Sequence, residues 1–117
     1  MPMQTQQSTN VADGAFPENI TLPIWNDAKA VEIWAAFPGA DGSSQATITF
    51  FASLDGVNPG ENGQIGSSGG QIYPDATLLD TFSPATGQAI GKFLIAQITD
   101  LSGTTPTSVQ FTILHHL

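Results

Sequence analysis

Apolar and polar side chains alternate along most of the chain with a period of two, which is typical of β-strands that bury one face. In the segment QATITFFASL, residues 45–54, this alternation puts Ala46, Ile48 and Phe50 on one side of the strand. The same pattern predicts further strands at 19–25, 28–37, 76–82, 90–99 and 108–117. No segment repeats its apolar residues at helical spacing over three turns. We therefore predict an all-β fold.

The predicted strands and the turn signals between them indicate a single antiparallel β-sandwich of six to eight strands, with jelly-roll or immunoglobulin-like topology. Segment 90–99 is apolar on both faces, which is typical of a central strand. Pro23 restricts the 19–25 strand to a sheet edge or a bulge. The glycine-rich segment 55–72 is expected to be a long loop.

The turn between the second and third predicted strands contains Asp41-Gly42, a hairpin signal, so we expect those two strands to pair directly. With Asp41-Gly42 at the centre of the turn, Trp34 and Phe51 become diagonal neighbours on the face turned away from the core. A turn shifted by one residue makes them direct partners. Either register predicts an aromatic patch on the outer side of the sheet.

The central strand extends this patch if its alternate residues Leu94, Ala96 and Ile98 face the core, because Phe93 and Ile95 then emerge on the other side. Large contiguous apolar patches on soluble proteins mark interaction surfaces. A second chain, or the 55–72 loop or N-terminal segment of the same chain, would cover such a patch, and we favour the second chain. The predicted interface residues are Trp34, Phe51, Phe93 and Ile95.

Residues 1–18 are polar and show no apolar period, so we predict an extended N-terminal arm there and a β-sandwich domain at 19–117. Such a segment is either a frayed terminus or an arm that docks on a neighbouring subunit. It has neither the positive nor the apolar region of a signal peptide, and no apolar run has membrane-spanning length. We expect synthesis in a cytoplasm and no membrane partner.

Composition narrows the possible functions. Ten acidic residues face two basic ones, Lys29 and Lys92, and the formal net charge is −8. A chain without a basic patch does not attract nucleic acid, so we expect no nucleic-acid partner. The absence of cysteine removes disulfides and thiol nucleophiles from consideration.

Candidate catalytic and metal-binding groups are sparse. Adjacent strand residues point to opposite faces, so His115 and His116 are not expected to converge on one metal or one serine. In the segment DGVNPGEN, Asp55 and Glu61 are oxygen ligands that suit calcium, but their spacing differs from an EF-hand and turn chemistry explains Asp55-Gly56. We therefore predict a protein that is not an enzyme and has no catalytic residues, no metal site and no cofactor.

The segments ATITFFASLDG and GKFLIAQITDLSGTTPTSVQFTIL resemble small β-sandwich structural proteins of tailed bacteriophages. In that group one strand ends in SLDG, a later strand carries (F/Y)-L-x-x-x-(I/V)-T followed by SG, and a final strand is like SVQFTI. The matching residues are Ser53–Gly56, Phe93–Thr99, Ser102-Gly103 and Ser108–Ile113. Two departures are Asn58, where related sequences often have tryptophan, and the absence of arginine from the later strand.

This resemblance implies a structural protein of the virion, most like a capsid decoration (cement) protein on the capsid surface. Such proteins commonly form trimers that bridge neighbouring major capsid proteins and stabilise the head. The resemblance therefore implies a homo-oligomer, with a trimer favoured, and the major capsid protein as partner. Similar strand patterns occur in phage tail, fibre and head–tail adaptor components and in carbohydrate-binding β-sandwiches, which remain alternatives.

Overall fold

The computed structural model describes residues 2–10, 18–24, 29–53, 55, 57, 64–83, 93–103 and 108–116. These residues form eight strands and two antiparallel sheets. The strands are β1 (Pro2–Asn10), β2 (Glu18–Pro23), β3 (Ala30–Ala36), β4 (Gln45–Ser53), β5 (Gln64–Gln71), β6 (Thr77–Phe82), β7 (Phe93–Ser102) and β8 (Ser108–His116). The all-β sandwich predicted from the alternation is confirmed.

The strand order identifies the topology. One sheet, called sheet A, has the order β1-β8-β3-β6, and the other, sheet B, has the order β2-β7-β4-β5. Every connection except β4–β5 joins the two sheets, so strands that follow one another in sequence rarely pair. Eight strands in two such sheets form a jelly roll, one of the two topologies that the sequence left open.

The core lies between the sheets and consists mainly of alternate apolar residues of β2, β3, β4, β7 and β8, together with Phe82 of β6. Its largest members are four fully buried phenylalanines, Phe37, Phe50, Phe82 and Phe111. The rings of Phe50 in sheet B and Phe82 in sheet A meet edge to face, with centroids 5.4 Å apart. Burial of each such ring contributes about 1.5–3 kcal/mol to the packing of the two sheets against each other.

Six predicted strands correspond to β2, β3, β4, β6, β7 and β8. Strand β7 lies inside sheet B between β2 and β4, which confirms that the segment apolar on both faces is a central strand. Strand β2 is an edge strand and ends at Pro23, as expected for a residue without a backbone N–H group.

The predicted hairpin between β3 and β4 is wrong, because β3 pairs with β6 and β8 whereas β4 pairs with β5 and β7. Two successive turns carry the chain from sheet A to sheet B. In the first, Ala40 N–H donates to Phe37 O (3.0 Å), and Gly39 has the positive φ of +91° that a type II turn requires. In the second, Ser44 N–H donates to Asp41 O (3.1 Å). The Asp41-Gly42 signal therefore predicted a reversal of the chain correctly, but it did not predict which strands pair.

Backbone contacts hold the connection between β3 and β4 against the β5–β6 turn and the β7–β8 turn. The Ile72 N–H group donates to Ser44 O (3.1 Å), which ties it to the β5–β6 turn. Gly103, after β7, has φ +73°, and a Cβ added to it would lie 1.8 Å from the carbonyl oxygen of Ser43. Only glycine allows two backbones to approach this closely in that conformation.

The segment 55–72, expected to be a loop, contains strand β5. Glycine and serine have low strand propensity, but here pairing with β4 over the register Gln45↔Gln71 to Phe51↔Gln64 supplies the stabilisation. Gly66 lies against the core, where an added Cβ would lie 2.5 Å from Asp80 Oδ2 and 2.9 Å from the Phe82 ring. The missing side chain at this position leaves room for that ring.

Residues 1–18 were expected to lie outside the sandwich, but Pro2–Asn10 belongs to it as strand β1. The strand pairs with β8 along its full length, from Pro2↔His116 to Asn10↔Ser108. Strand β1 was not predicted because its residues are polar, whereas strands were predicted only from the alternation of apolar residues. Residues 11–17, the rest of the expected arm that precedes β2, lie outside the described residues.

Candidate functional site

The outer faces of the two sheets are the candidate interaction surfaces, since they carry the large apolar side chains that the core does not use. On the outer face of sheet A, Trp34 alternates with the buried residues Ile33 and Ala35 of β3 and is itself only partly buried. Its cross-strand partners are Thr112 of β8 and Leu78 of β6. Trp34 therefore lies near the middle of this face.

A small polar network fixes the Trp34 side chain. Its indole Nε1–H donates to Glu32 Oε1 (3.1 Å), and the second carboxylate oxygen of Glu32 lies 2.5 Å from His116 Nε2. Both oxygens of one carboxylate are thus engaged, one by a neighbour on its own strand and one by a residue of β8. The hydrogen bond to Glu32 favours one orientation of the partly exposed indole ring.

Two leucines extend the apolar surface around Trp34. Leu78 is paired with Trp34 across β3–β6 and is 44% exposed. Leu114 is paired with Glu32 across β3–β8, on the same face and diagonal to Trp34. These three residues, Trp34, Leu78 and Leu114, are called the Trp34 patch.

The outer face of sheet B carries the other three predicted interface residues. Phe51 of β4 is paired with Ile95 of β7, and Phe93 lies two residues before Ile95 on the same side of that strand. Phe51 and Phe93 are partly buried, whereas Ile95 has 0% exposure. The structure thus brings three of the four residues together, but Ile95 presents no surface to a partner.

The expected contact between Trp34 and Phe51 is wrong. Trp34 lies on sheet A and Phe51 on sheet B, and the core separates the two outer faces. The reason is the failed hairpin: strands β3 and β4, which carry these residues, never pair. The protein therefore has two separate outer surfaces. Leu78, which is more exposed than any of the four predicted interface residues, was absent from the predicted set.

Sequence reasoning also missed the roles of Glu32 and His116. These residues are 84 positions apart, and only the β3–β8 pairing brings them together. A sequence pattern that marks individual strands contains no signal for this pairing. The related prediction that His115 and His116 point to opposite faces is confirmed, since His115 is fully buried and His116 is partly exposed on the outer face.

The oxygen-rich segment after β4 shows turn chemistry at its start. Asp55 Oδ1 accepts hydrogen bonds from Val57 N–H (2.8 Å) and from Ser53 Oγ (3.1 Å), which is an Asx turn. Gly56, Asn58, Glu61 and Asn62 lie outside the described residues. Among the residues that the structure does describe, no group of three or more His, Cys, Asp or Glu side chains is arranged to hold a metal ion.

In the described part of the chain, no helix has the length and apolar character that crossing a membrane requires. Comparison of the chain with protein-family models, with curated proteins and with solved structures gives no match.

Proposed function

We propose that this protein is a non-enzymatic structural component of a virion, a capsid decoration protein that oligomerises and bridges neighbouring major capsid proteins. A trimer is the favoured oligomer. The observation that carries the proposal is the Trp34 patch, in which a partly exposed tryptophan is fixed by Glu32 beside the exposed Leu78. Rigid aromatic anchors flanked by aliphatic side chains are typical of binding surfaces.

The fold supports this proposal by analogy. Jelly rolls are widespread in viral capsid proteins, although the same fold also occurs in lectins and cupins. The residues that resemble phage structural proteins occupy strand ends and strands of this jelly roll. Ser53 closes β4, Phe93–Thr99 lies within β7, and Ser108–Ile113 begins β8.

The charge of the chain is also compatible with binding to a protein shell. A net charge of −8 repels nucleic acid and favours a partner surface that is neutral or basic. Glu32 and His116, which are ionisable side chains on the outer face of sheet A, already bind each other, so the Trp34 patch can be covered without leaving either group unpaired.

Cosedimentation with expanded shells that lack this protein tests the proposal. We expect the purified chain to bind such shells, and Leu78→Ser to weaken binding by roughly tenfold because it removes half-exposed apolar surface from the patch. The matched control is Val57→Ser, which changes an apolar residue outside the patch that is 73% accessible. Absence of binding by the unmodified chain would refute the proposed function, and equal losses for both variants would refute the role of the patch.

A carbohydrate-binding module is the second candidate. The Trp34 ring is flanked on β8 by the hydroxyl of Thr112 and, further along, by the amide of Gln110, a combination that suits stacking and hydrogen bonding to a neutral sugar. The indole N–H and the Glu32 carboxylate are already engaged with each other, which leaves fewer groups for a sugar. A glycan array distinguishes the two candidates, since specific binding of one sugar would favour the module.

A further inference from the structure

Strand β6 is an edge strand whose sequence favours pairing with another chain. It borders sheet A beside β3, and no strand of the described residues pairs with its other edge. Its sequence, TLLDTF, combines two leucines, two threonines and a phenylalanine, and it contains neither proline nor glycine. Short segments with high strand propensity and low charge readily form intermolecular sheets. An edge of this composition is therefore a site at which copies of the chain join unless another feature prevents it.

The other three edge strands have compositions that favour such pairing less. Strand β1 is mostly polar, and β2 begins with Glu18 and ends in Pro23, which has no N–H group to donate. Strand β5 consists mainly of glycine, serine and glutamine, and its Gly70 has a φ of +118°. Charge, proline, glycine and irregular backbone all discourage edge pairing. Strand β6 has the largest share of apolar and β-branched residues of the four, and its one charged residue is Asp80.

Asp80 lies on the core side of β6. Its partner on β3 is Ile33, which is fully buried, and directly opposed residues of an antiparallel pair share a face. The Asp80 carboxylate also reaches towards sheet B, since a Cβ added to Gly66 of β5 would lie 2.5 Å from Asp80 Oδ2. The side chain is nevertheless only partly buried. The carboxylate therefore lies between the two sheets at the flank where β5 and β6 meet, and it remains open to water.

Both strands of this flank carry a β-bulge next to the carboxylate. The register between β3 and β6 skips Leu79, directly before Asp80. The register between β4 and β5 skips Ile65, directly before Gly66. Bulges of this kind bend a strand and interrupt its regular row of hydrogen-bonding groups, which is one way in which proteins protect sheet edges. The two bulges therefore make both edges of the flank irregular where the sheets approach each other.

The Asp80 side chain also occupies a backbone donor of β6. Its Oδ1 atom accepts a hydrogen bond from Thr81 N–H (2.8 Å), so an incoming strand would compete for that donor. An incoming strand would also cover the carboxylate at the flank. Withdrawal of an ionised carboxylate from water is unfavourable unless new partners replace the water. Both effects oppose extension of sheet A beyond β6.

We propose that Asp80 prevents β6 from pairing with the edge of another chain. The inward-pointing carboxylate and the adjacent bulge together make this edge unsuitable for sheet extension. The same strand carries Leu78 of the Trp34 patch, so Asp80 allows an apolar side chain to stay exposed on an edge strand without promoting such pairing. The inference concerns the edge alone and does not depend on the proposed function.

Asp80→Asn tests the proposal, because it removes the charge but keeps the size of the side chain and an acceptor for Thr81. Size-exclusion chromatography with light scattering, run on the full chain over a series of concentrations, detects species larger than those of the unmodified protein. We expect Asp80→Asn to lower the concentration at which such species appear by at least roughly tenfold. The matched control is Asp75→Asn, which removes the same charge from an exposed position before β6 and should behave like the unmodified protein.

Two further variants separate the charge from the shape of the side chain. Asp80→Glu keeps the charge and should associate no more than the unmodified protein. Asp80→Leu removes both the charge and the acceptor and should associate at least as strongly as Asp80→Asn. Urea unfolding establishes that each variant is folded, and Asp80→Ser, a smaller uncharged replacement, takes the place of Asp80→Asn if that variant does not unfold cooperatively.

Amide hydrogen exchange locates the new contact. In the larger species formed by the uncharged variant, exchange in 77–82 should be slower than in the unmodified protein at the same concentration by at least roughly tenfold. Association no greater than that of Asp75→Asn, equal association of Asp80→Glu and Asp80→Asn, or unchanged exchange in 77–82 would each overturn the proposal.

Discussion

Replacing Gly103 by alanine probes the close approach between the β7–β8 turn and the β3–β4 connection. The added Cβ would lie 1.8 Å from the carbonyl oxygen and 2.6 Å from the carbonyl carbon of Ser43. Both atoms belong to the backbone, so no side-chain rotation relieves the contact. Increasing the shorter distance to 3.0 Å, below which real Cβ contacts are essentially never found, requires a displacement of about 1.2 Å.

The expected loss of stability has two parts. An L-residue with the φ of +73° seen at Gly103 costs about 1–2 kcal/mol. The Ser43 backbone is held in place, because its N–H donates to Asp41 Oδ1 (2.8 Å) and the next carbonyl, of Ser44, accepts from Ile72 N–H (3.1 Å). Loss of one or two such bonds costs about 1 kcal/mol each. The free energy of unfolding should fall by about 2–4 kcal/mol, a large share of the 5–15 kcal/mol typical of a domain.

Urea unfolding followed by tryptophan fluorescence measures this loss, with two glycines of the β3–β4 connection as controls. Gly39 also has a positive φ, +91°, but has no atom within 4 Å of an added Cβ, so Gly39→Ala reports backbone strain alone. Gly42 has neither strain nor crowding, and Gly42→Ala should stay within about 0.5 kcal/mol of the unmodified protein. If Gly103→Ala loses no more stability than Gly39→Ala, the contact with Ser43 does not constrain the fold.

Three further experiments test the packing and the outer face. Gly66→Ala should lower the free energy of unfolding by about 1–3 kcal/mol, because the new methyl group would lie 2.5 Å from Asp80 Oδ2 and 2.9 Å from the Phe82 ring; an unchanged thermal midpoint by circular dichroism would contradict this. A double-mutant cycle with Phe50→Leu and Phe82→Leu should give a coupling energy of about 0.5–1.5 kcal/mol for the edge-to-face pair, whereas additive losses in urea unfolding would argue against a specific ring contact. Glu32→Gln keeps an acceptor for the Trp34 indole and should preserve its near-ultraviolet circular dichroism, measured with the other tryptophan replaced by phenylalanine. Glu32→Ala should alter that signal, and identical spectra for the two variants would exclude the hydrogen bond as the group that orients the ring.

The sequence contains enough information to find the strands that border the core but not those at two of the edges. Six strands were predicted because their alternate residues are apolar and become buried, as Ala46, Ile48 and Phe50 do in β4. Strands β1 and β5 were missed because their stability comes from backbone pairing with β8 and β4, which leaves no apolar period in the sequence. A hydrophobic pattern therefore identifies only those strands whose side chains become buried in the core.

The candidate site was less predictable because it depends on strand pairing. Trp34 and Phe51 were correctly placed away from the core, but their neighbours were wrong since Asp41-Gly42 was interpreted as a two-strand hairpin. In a jelly roll, consecutive strands usually lie in different sheets, so local turn chemistry does not identify the partner. The contact between Glu32 and His116 depends on a pairing between strands far apart in sequence, which no local pattern encodes.

The position of β8 between β1 and β3 has a consequence for biosynthesis. Translation proceeds at about 5–20 residues per second, so β1 and β3 emerge several seconds before the strand that separates them. During that interval the central strand of sheet A is missing. The backbone N–H and C=O groups of β1 and β3 that later pair with β8 can then pair with other nascent chains. Topologies dominated by such distant pairings fold in milliseconds to seconds. Productive folding of sheet A therefore waits for the ribosome to deliver β8, and chaperone protection matters most just before that point.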